Sequence, residues 1–590
     1  MSAWPPLPTT RATLLLLMRV GAALSLVAGG LLGLLYTLAS YEDVAALGGY
    51  VYHENGFKRL PLALTPGRLQ LLRAVLLAGA GLGAVALLLS RHAKTRLGAE
   101  WRHGLRRLVD AWQRTSVAQR AAVGLVLMAV LAARAYYLLA YPLSTDEIAS
   151  YDFFVRKGPL AITGFYPIPN NHILYNLLAW PATKLPLTPR WVMRLPTLLL
   201  GSVGTVAGLA LLARVVGQRL AVLVTGLVAL GPVWVYYAGA GRGYFLQFCA
   251  LQMGFFAAVE IMRPRSFYPH LRWLGFVSSS VVGLYLIPTY AYPLLGLLLG
   301  VGGTLSWQRR WNEVAELALA GAIIGGLTLL LYAPVGVVSG WDQLLHNPYV
   351  SAREASRFWP LFRPKLYETA AELFGPPLRY GGPLWLGAAL VGGLLSRWLL
   401  PPGPRRHTAL LAWVLLALPL LLMAAQRVNP LTRVLLHLTF FGYLLAVLWL
   451  STWHGSQRLR PYWLLGVAAV LGLGGWRLYE NRGQVRALQH ETRQLHRAYA
   501  WLSARPGPAP RRVWLNAPFH ELYFAHYAHT EGPVGLRLTS SQAKRPAAAF
   551  DFLVLDRKAE AAGAAAPTGY VVVYRDDLAT IYAPSAGQQP

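Results

Sequence analysis

Carboxylates set against a lipid boundary are the first residues in this chain that could do chemistry. Asp146, Glu147 and Asp152 stand together in the run LSTDEIASYDFF, directly after a long apolar block. Ionisable groups at such a boundary are costly unless used, so they are functional candidates by default. Adjacent residues on a helix point about 100° apart, which suits Asp146 and Glu147 to two different jobs. Ser144-Thr145-Asp146-Glu147 also reads as a capping box, with Ser144 as N-cap and Glu147 reaching back to its amide. Asp146 would then sit at the positive end of a helix dipole. A long segment follows that contains Tyr166, Pro167, Pro169, Asn170, Asn171 and His172. Segments of this sort, lying on a membrane surface, cover a site more often than they idle. His172, His346 and Asp152 could join Asp146 around a divalent cation. Their spacing matches no metal motif, so no metal ligand is assigned and the cofactor is left unknown.

The elements that must position these residues are membrane helices. The chain has 590 residues, of which 55% are hydrophobic and 13% charged, against about 25% charged in a typical soluble domain. The apolar residues fall in long blocks, which excludes a disordered chain, a disulfide scaffold and a collagen-like fibre. Lys and Arg number 54 against 24 acids, for a net charge of +30. The cations sit mostly between apolar blocks, where they set orientation and attract lipid headgroups, so nucleic acid is not an expected partner. The one cysteine, Cys249, lies inside an apolar block and allows neither an intrachain disulfide nor a Cys-based metal site.

A crossing takes roughly 20 apolar residues. On that ruler about thirteen transmembrane helices are expected, at 13–38, 69–90, 121–141, 194–214, 219–237, 244–262, 273–288, 290–306, 315–336, 382–400, 408–425, 431–451 and 462–478. The two blocks around Pro288 are short and read equally as one broken helix. Tyr285, Tyr290 and Tyr292 beside it would line an interior cavity or join the interfacial belt. The first block is read as a retained anchor rather than a cleaved signal. The stretch 91–120 holds 8 Lys/Arg against 2 acids and should be cytoplasmic. Connectors at 214–219, 263–272, 307–312, 397–407 and 452–460 then fall on the same side, and each carries Arg. The N-terminus is expected in the cytoplasm. The segments 142–193 and 337–381 and everything after 480 are expected on the exterior, periplasmic side of the cytoplasmic membrane.

The expected fold is mainly α: a polytopic membrane helical bundle with a small C-terminal exterior α/β domain. Residues 1–120 form a two-helix membrane extension with a basic cytoplasmic loop, 121–480 a membrane catalytic domain, and 481–590 a soluble α/β domain. That last part has a polar helical stretch, ETRQLHRAYAWLSA, then a Pro-rich linker and the strand-like runs RRVWLN, DFLVLD and YVVVYRDDLATIYA.

The order of a span, an Asp-Glu pair, PNNHILYNLL, WVMRLPTLLLG, AGAGRGYFLQ and finally NPLTRVLLHL resembles the GT-C superfamily of integral membrane glycosyltransferases. It is most similar to the protein O-mannosyltransferase and aminoarabinose-transferase branch, over residues 121–480. The resemblance implies hexosyl or pentosyl transfer from a polyprenyl-phosphate donor to a glycan, lipid or protein acceptor on the exterior face. It places the catalytic carboxylate at Asp146 and the acidic pair at Asp146 and Glu147. It matches the Arg-Gly-Tyr motif to Arg242, Gly243 and Tyr244, and the late Pro-x-x-Arg element to Pro430 and Arg433, with Arg242 and Arg433 at the donor phosphate. Tyr166, Asn171, His172 and Tyr244 are the substrate-binding candidates. Ile173 stands where relatives often have Pro, and Val434 where they have an aromatic residue, so the acceptor stays open.

The residue inventory agrees with that chemistry. Hydrolysing a glycoside usually takes two carboxylates, because an alkoxide leaving group needs a proton. A lipid phosphate already leaves well and needs cations, so one base and arginines suffice. An inverting single displacement is expected, with Asp146 as base and Glu147 orienting the acceptor or capping its helix. Arg353, Arg357, Arg363, Lys365 and Arg379 make 337–381 unusually basic for an exterior loop, suiting either an anionic ligand or a solvated helix. Two readings from other classes are a flippase for lipid-linked saccharides and a non-catalytic envelope scaffold. Transporters place binding groups near the midplane in repeated halves, whereas these acids gather at one face.

Overall fold

The computed structural model describes residues 10–48, 50–53, 56–59, 61–91, 96–345, 352–374, 381–400, 403–453, 462–505, 510–532, 535–539, 550–561 and 568–585. Every apolar block read from the sequence folds as helix, so the chain is a helical membrane bundle carrying a small sheet domain. Eight helices are long and apolar enough to cross a membrane, or up to nine if the bent pair Gln218–Ala229 and Pro232–Gly239 is one span. Among the described residues, eight or nine of the thirteen apolar blocks thus meet that test of length and composition, and the others fold as shorter or more polar helices. Proline and glycine account for much of the difference. Gly231 and Pro232 bend one pair by 75°, and Pro288 starts a 3-10 turn between the helices Leu271–Leu286 and Ala291–Trp307. Proline removes a backbone donor and clashes with the preceding turn, so a helix stops there.

The two N-terminal helices, Thr10–Leu38 and Pro66–Leu89, pack face to face. Gly83 permits this, since a Cβ there would lie 2.6 Å from the Ala22 carbonyl oxygen. Arg73 closes the exit of the first helix by donating from Nε to the Tyr36 carbonyl (2.9 Å) and from Nη2 to that of Ala39 (2.7 Å). The Tyr36 hydroxyl reaches Thr163 at 3.1 Å, which ties this pair to the loop that carries the acids. A short antiparallel hairpin, Tyr50–His53 with Gly56–Arg59, joins the two helices and was not foreseen.

The basic segment 337–381 contains the helix Ala355–Phe374. Lys365 pairs with Glu368 at 3.1 Å and Arg357 with Glu354 at 3.8 Å, both one turn apart. His346 and Arg379 lie outside the described residues.

The expected boundary at 480 falls within one continuous helix of 41 residues, Trp463–Ser503. It leads into a five-stranded sheet ordered Leu536–Thr539, Arg511–Leu515, Phe552–Asp556, Ala579–Pro584 and Tyr570–Arg575. The first three strands are parallel and the last two form an antiparallel hairpin. Asp576 makes that hairpin's turn, accepting the amides of Leu578 and Ala579 at 2.8 Å each.

Candidate active site

The span Val117–Ala140 delivers the chain to the short helix Thr145–Ser150. Its start is capped as the local spacing requires. The Glu147 amide donates to Ser144 Oγ (3.3 Å), and the Ser144 amide donates back to Glu147 Oε2 (3.0 Å). One turn of π-helix, Tyr151–Val155, follows.

The two adjacent acids part company here. Glu147 is buried and meets Arg194 in a two-pronged pair: Arg194 Nε donates to Oε1 at 2.8 Å and Nη2 to Oε2 at 2.9 Å. The Gly241 amide adds a third donor to Oε1 at 2.7 Å. Arg194 also binds the carbonyls of Leu138, Tyr141 and Pro142 at 2.9, 3.0 and 2.9 Å, so it clamps the span's exit to the acid. Burial alone would raise the Glu147 carboxyl. The Arg194 charge and hydrogen bonds outweigh it, with the Ser144 and Gly241 amides, and hold it below the usual range.

Asp146 turns the other way, toward two arginines, and stays partly exposed. Its Oδ2 lies 3.1 Å from Arg433 Nη1 and 3.6 Å from Arg242 Nη2, and its side chain keeps 34% of its exposure. Arg433 comes from the 3-10 turn Thr432–Leu435, just ahead of the helix His437–Trp453. Arg242 is buried and fixed by the Asp146 carbonyl (3.1 Å), Ser150 Oγ (3.0 Å) and the Asn170 side-chain oxygen. Tyr244 opens the next helix with its ring 5.8 Å from the Arg242 guanidinium and 5.9 Å from that of Arg433. His172 meets the Tyr244 ring edge-on at 4.8 Å.

His172 Nδ1 accepts the Gly243 amide at 3.0 Å. Burial, then the charges of Arg242 and Arg433, push its pKa well below the ordinary histidine value. The ring is therefore neutral. Beside Arg433 a narrow crevice of about 20 Å³ lies between Tyr244, Gln247, Phe248, Leu251, Tyr290 and Pro293. Tyr290 from the broken helix thus does line that crevice, while Tyr292 instead donates its hydroxyl to Gln426 at 2.9 Å.

Of the residues singled out from sequence, Asp146, Arg242, Arg433, His172 and Tyr244 come together. Tyr166 is buried close behind them, and burial raises its hydroxyl pKa above the ordinary value. Glu147 and Asn171 are withdrawn from that group. Asn171 spends its amide on the Ile162 and Phe165 carbonyls (2.8 and 2.9 Å) and accepts from Asn176 at 2.9 Å, which fixes the loop's shape. Asp152 does not join Asp146. It is buried against His526 Nδ1 at 3.0 Å, in a helix of the terminal domain. Among the described residues no group of three or more His, Cys, Asp or Glu side chains is placed to hold a metal ion. Sequence reasoning gave no role to Arg194, Gly241, Ser150 or His526, all of which pin the acidic segment.

No protein-family model matches the sequence, and no curated protein matches it. Among solved structures, the chain is similar to ArnT from Cupriavidus metallidurans bound to undecaprenyl phosphate, with a TM-score of 0.54 and 15% identity over 79% of this chain and 98% of that one. The apo form of the same ArnT aligns at a TM-score of 0.40 with 14% identity, over 78% and 98% of the two chains. The arabinosyltransferase EmbB from Mycobacterium smegmatis aligns at 0.39 with 15% identity, over 64% of this chain and 34% of that one. The ArnT complex shares this chain's fold.

Proposed function

We propose that this protein is a glycosyltransferase that moves a sugar from a polyprenyl-phosphate donor to an acceptor hydroxyl, at the exterior face of the membrane and with inversion at the anomeric carbon. The observation that carries this reading is the part-exposed carboxylate of Asp146, held 3.1 Å from Arg433 and 3.6 Å from Arg242. The undecaprenyl phosphate named with the ArnT structure supports the lipid donor.

In this mechanism the acceptor oxygen attacks the anomeric carbon as the bond from that carbon to the phosphate oxygen breaks. The bonding pair leaves with the phosphate, and Arg433 and Arg242 take up the charge that develops on it. The acceptor's proton passes to Asp146 late in the step, when the electron-poor carbon has made the hydroxyl more acidic. Glu147 works at one remove: with Arg194 and the Gly241 amide it sets the angle of the helix on which Asp146 stands. His172 borders the phosphate site, with its Nε2 3.3 Å from Arg242 Nη2.

Purified protein given a radiolabelled polyprenyl-phosphate sugar should release lipid phosphate only when acceptor is present. Asp146→Asn should lower that rate by about 10²–10⁴-fold, the usual worth of a general base, with unchanged membrane yield. Full transfer by both Asp146→Asn and Asp146→Ala would remove Asp146 from the chemistry. Lipid movement across the bilayer without sugar release would point to a flippase.

A further inference from the structure

The helix Leu97–Gln113 lies between two spans, after Leu89 and before Val117. The second of those spans carries the chain across to Asp146, so this helix and the acidic segment stand at opposite membrane faces. Its residues separate by face at 100° per residue. Leu97, Trp101, Leu105, Leu108, Val109 and Trp112 share one side, while Arg102, His103, Arg106, Asp110 and Gln113 share the other. Most of the apolar side is not covered by protein: Trp101 keeps 60% of its exposure, Leu105 45%, Val109 53% and Trp112 46%, while Leu97 and Leu108 are partly buried.

The edge between the two sides is what holds the helix. Glu100 is buried, with Oε1 2.5 Å from His270 Nδ1, and Oε2 accepts the amides of His270 and Leu271 at 3.0 and 2.9 Å. The Arg107 guanidinium stacks 4.9 Å over Phe267. These contacts tack the helix lengthwise to the 263–272 connector and fix its roll. Arg102, Arg106 and Arg114 are in no ion pair among the described residues. Two exposed tryptophans and aliphatics on one side, flanked by unpaired arginines, suit a helix lying in the headgroup plane. Guanidinium groups there attract anionic lipid headgroups.

We propose that the helix Leu97–Gln113 is an in-plane surface anchor that takes anionic phospholipid headgroups, on the membrane face opposite Asp146. The occupant of its apolar side is the bilayer. Charge complementarity argues for this, as does the position of the helix between two spans that both end at that surface.

The test uses the full chain in a Cys249→Ala background, with a nitroxide placed at Val109→Cys, Trp101→Cys or Asp110→Cys. Each variant goes into nanodiscs of phosphatidylcholine alone or with phosphatidylglycerol. The expected result is that the labels at 101 and 109 are several-fold more accessible to oxygen than to a nickel chelate, and the label at 110 the reverse. The contrast should be larger in phosphatidylglycerol and should shrink to the phosphatidylcholine level in Arg102→Gln/Arg106→Gln. Nickel accessibility at 101 and 109 equal to that at 110 overturns the membrane contact. Equal protection in both lipids, unmoved by the arginine variants, overturns the headgroup preference. Protection that grows with protein concentration assigns the face to a second copy instead. Two labels on the apolar side keep one misfolded variant from deciding the matter.

Discussion

Asp146 and Glu147 are neighbours in sequence with opposite environments, so their removal should fail in opposite ways. Glu147 and Arg194 are both buried and two-pronged. Glu147→Gln leaves Arg194 without its counter-charge, and breaking one side of such a pair costs about 3–5 kcal/mol. The expected outcome is a lower thermal midpoint and poor membrane yield, measured in detergent, where Asp146→Asn shows neither. Arg433→Lys keeps the charge but loses the planar fork that grips phosphate. It should lower transfer by roughly 10–100-fold, on the scale of a lost charge-assisted hydrogen bond of about 1.5–3 kcal/mol, without changing stability. His172 gives a pH dependence of definite sign. Its folded pKa lies well below the ordinary value, so the unfolded chain binds the proton more readily. The stability it contributes is whole above about pH 6.5 and is lost as pH falls toward the folded value. Melting curves at several pH values should show that acid-side slope, and His172→Gln should flatten it.

At the scale of elements, the acidic helix is held by parts that reach it from far along the chain. The turn at Gly241 is the tightest of these. A Cβ there would sit 2.6 Å from the Met193 side chain, while its amide binds Glu147 at 2.7 Å. Gly241→Ala must push the turn outward and carry Arg242 with it. A shift of about 1 Å at a positioning group can cost about 10²-fold, so transfer should fall by that order while the protein still folds, as steady-state rates in vesicles would show. The capping box was legible in the sequence because Ser144 and Glu147 are one turn apart. The apolar blocks were legible because burial in lipid leaves long runs. The break at Pro288 was legible because proline acts on its own backbone. Arg194 as the partner of Glu147 was not, since the pair joins residues 47 apart and a lone arginine near a span end looks like any snorkelling cation. Nor was the continuity of Trp463–Ser503, where the composition changes but the helix does not.

The whole molecule closes on the acidic segment from its terminal domain, a connection between residues 374 apart. Asp152 is buried with His526 at 3.0 Å and His529 at 3.8 Å. Burial would raise its carboxyl, but the hydrogen bonds and charges of the two histidines prevail and hold it below the usual range. Tyr523 in the same helix donates to the Leu143 carbonyl at 3.0 Å, just before the capping serine. A second grip lies lower, where Asn481 donates to the Tyr137 and Tyr141 hydroxyls (2.6 and 3.1 Å) and Gln489 to the Ala140 carbonyl (2.6 Å). These two grips belong to different lengths of chain, so truncation separates them. A protein ended after Ala504 keeps the lower grip and should insert and fold, with amide exchange over 145–155 faster than in the full chain. One ended after Glu480 cuts the helix Trp463–Ser503 midway, loses both grips and should be recovered poorly. In the full chain, His526→Ala should raise exchange over 145–155 without affecting 481–489, because the buried Asp152 then keeps only its 3.8 Å contacts to His529 and Arg156. Equal behaviour of the two truncations would mean that the terminal domain rides on the membrane part without bracing it. A graded response would mean that the sheet domain braces the acidic segment on which Asp146 stands.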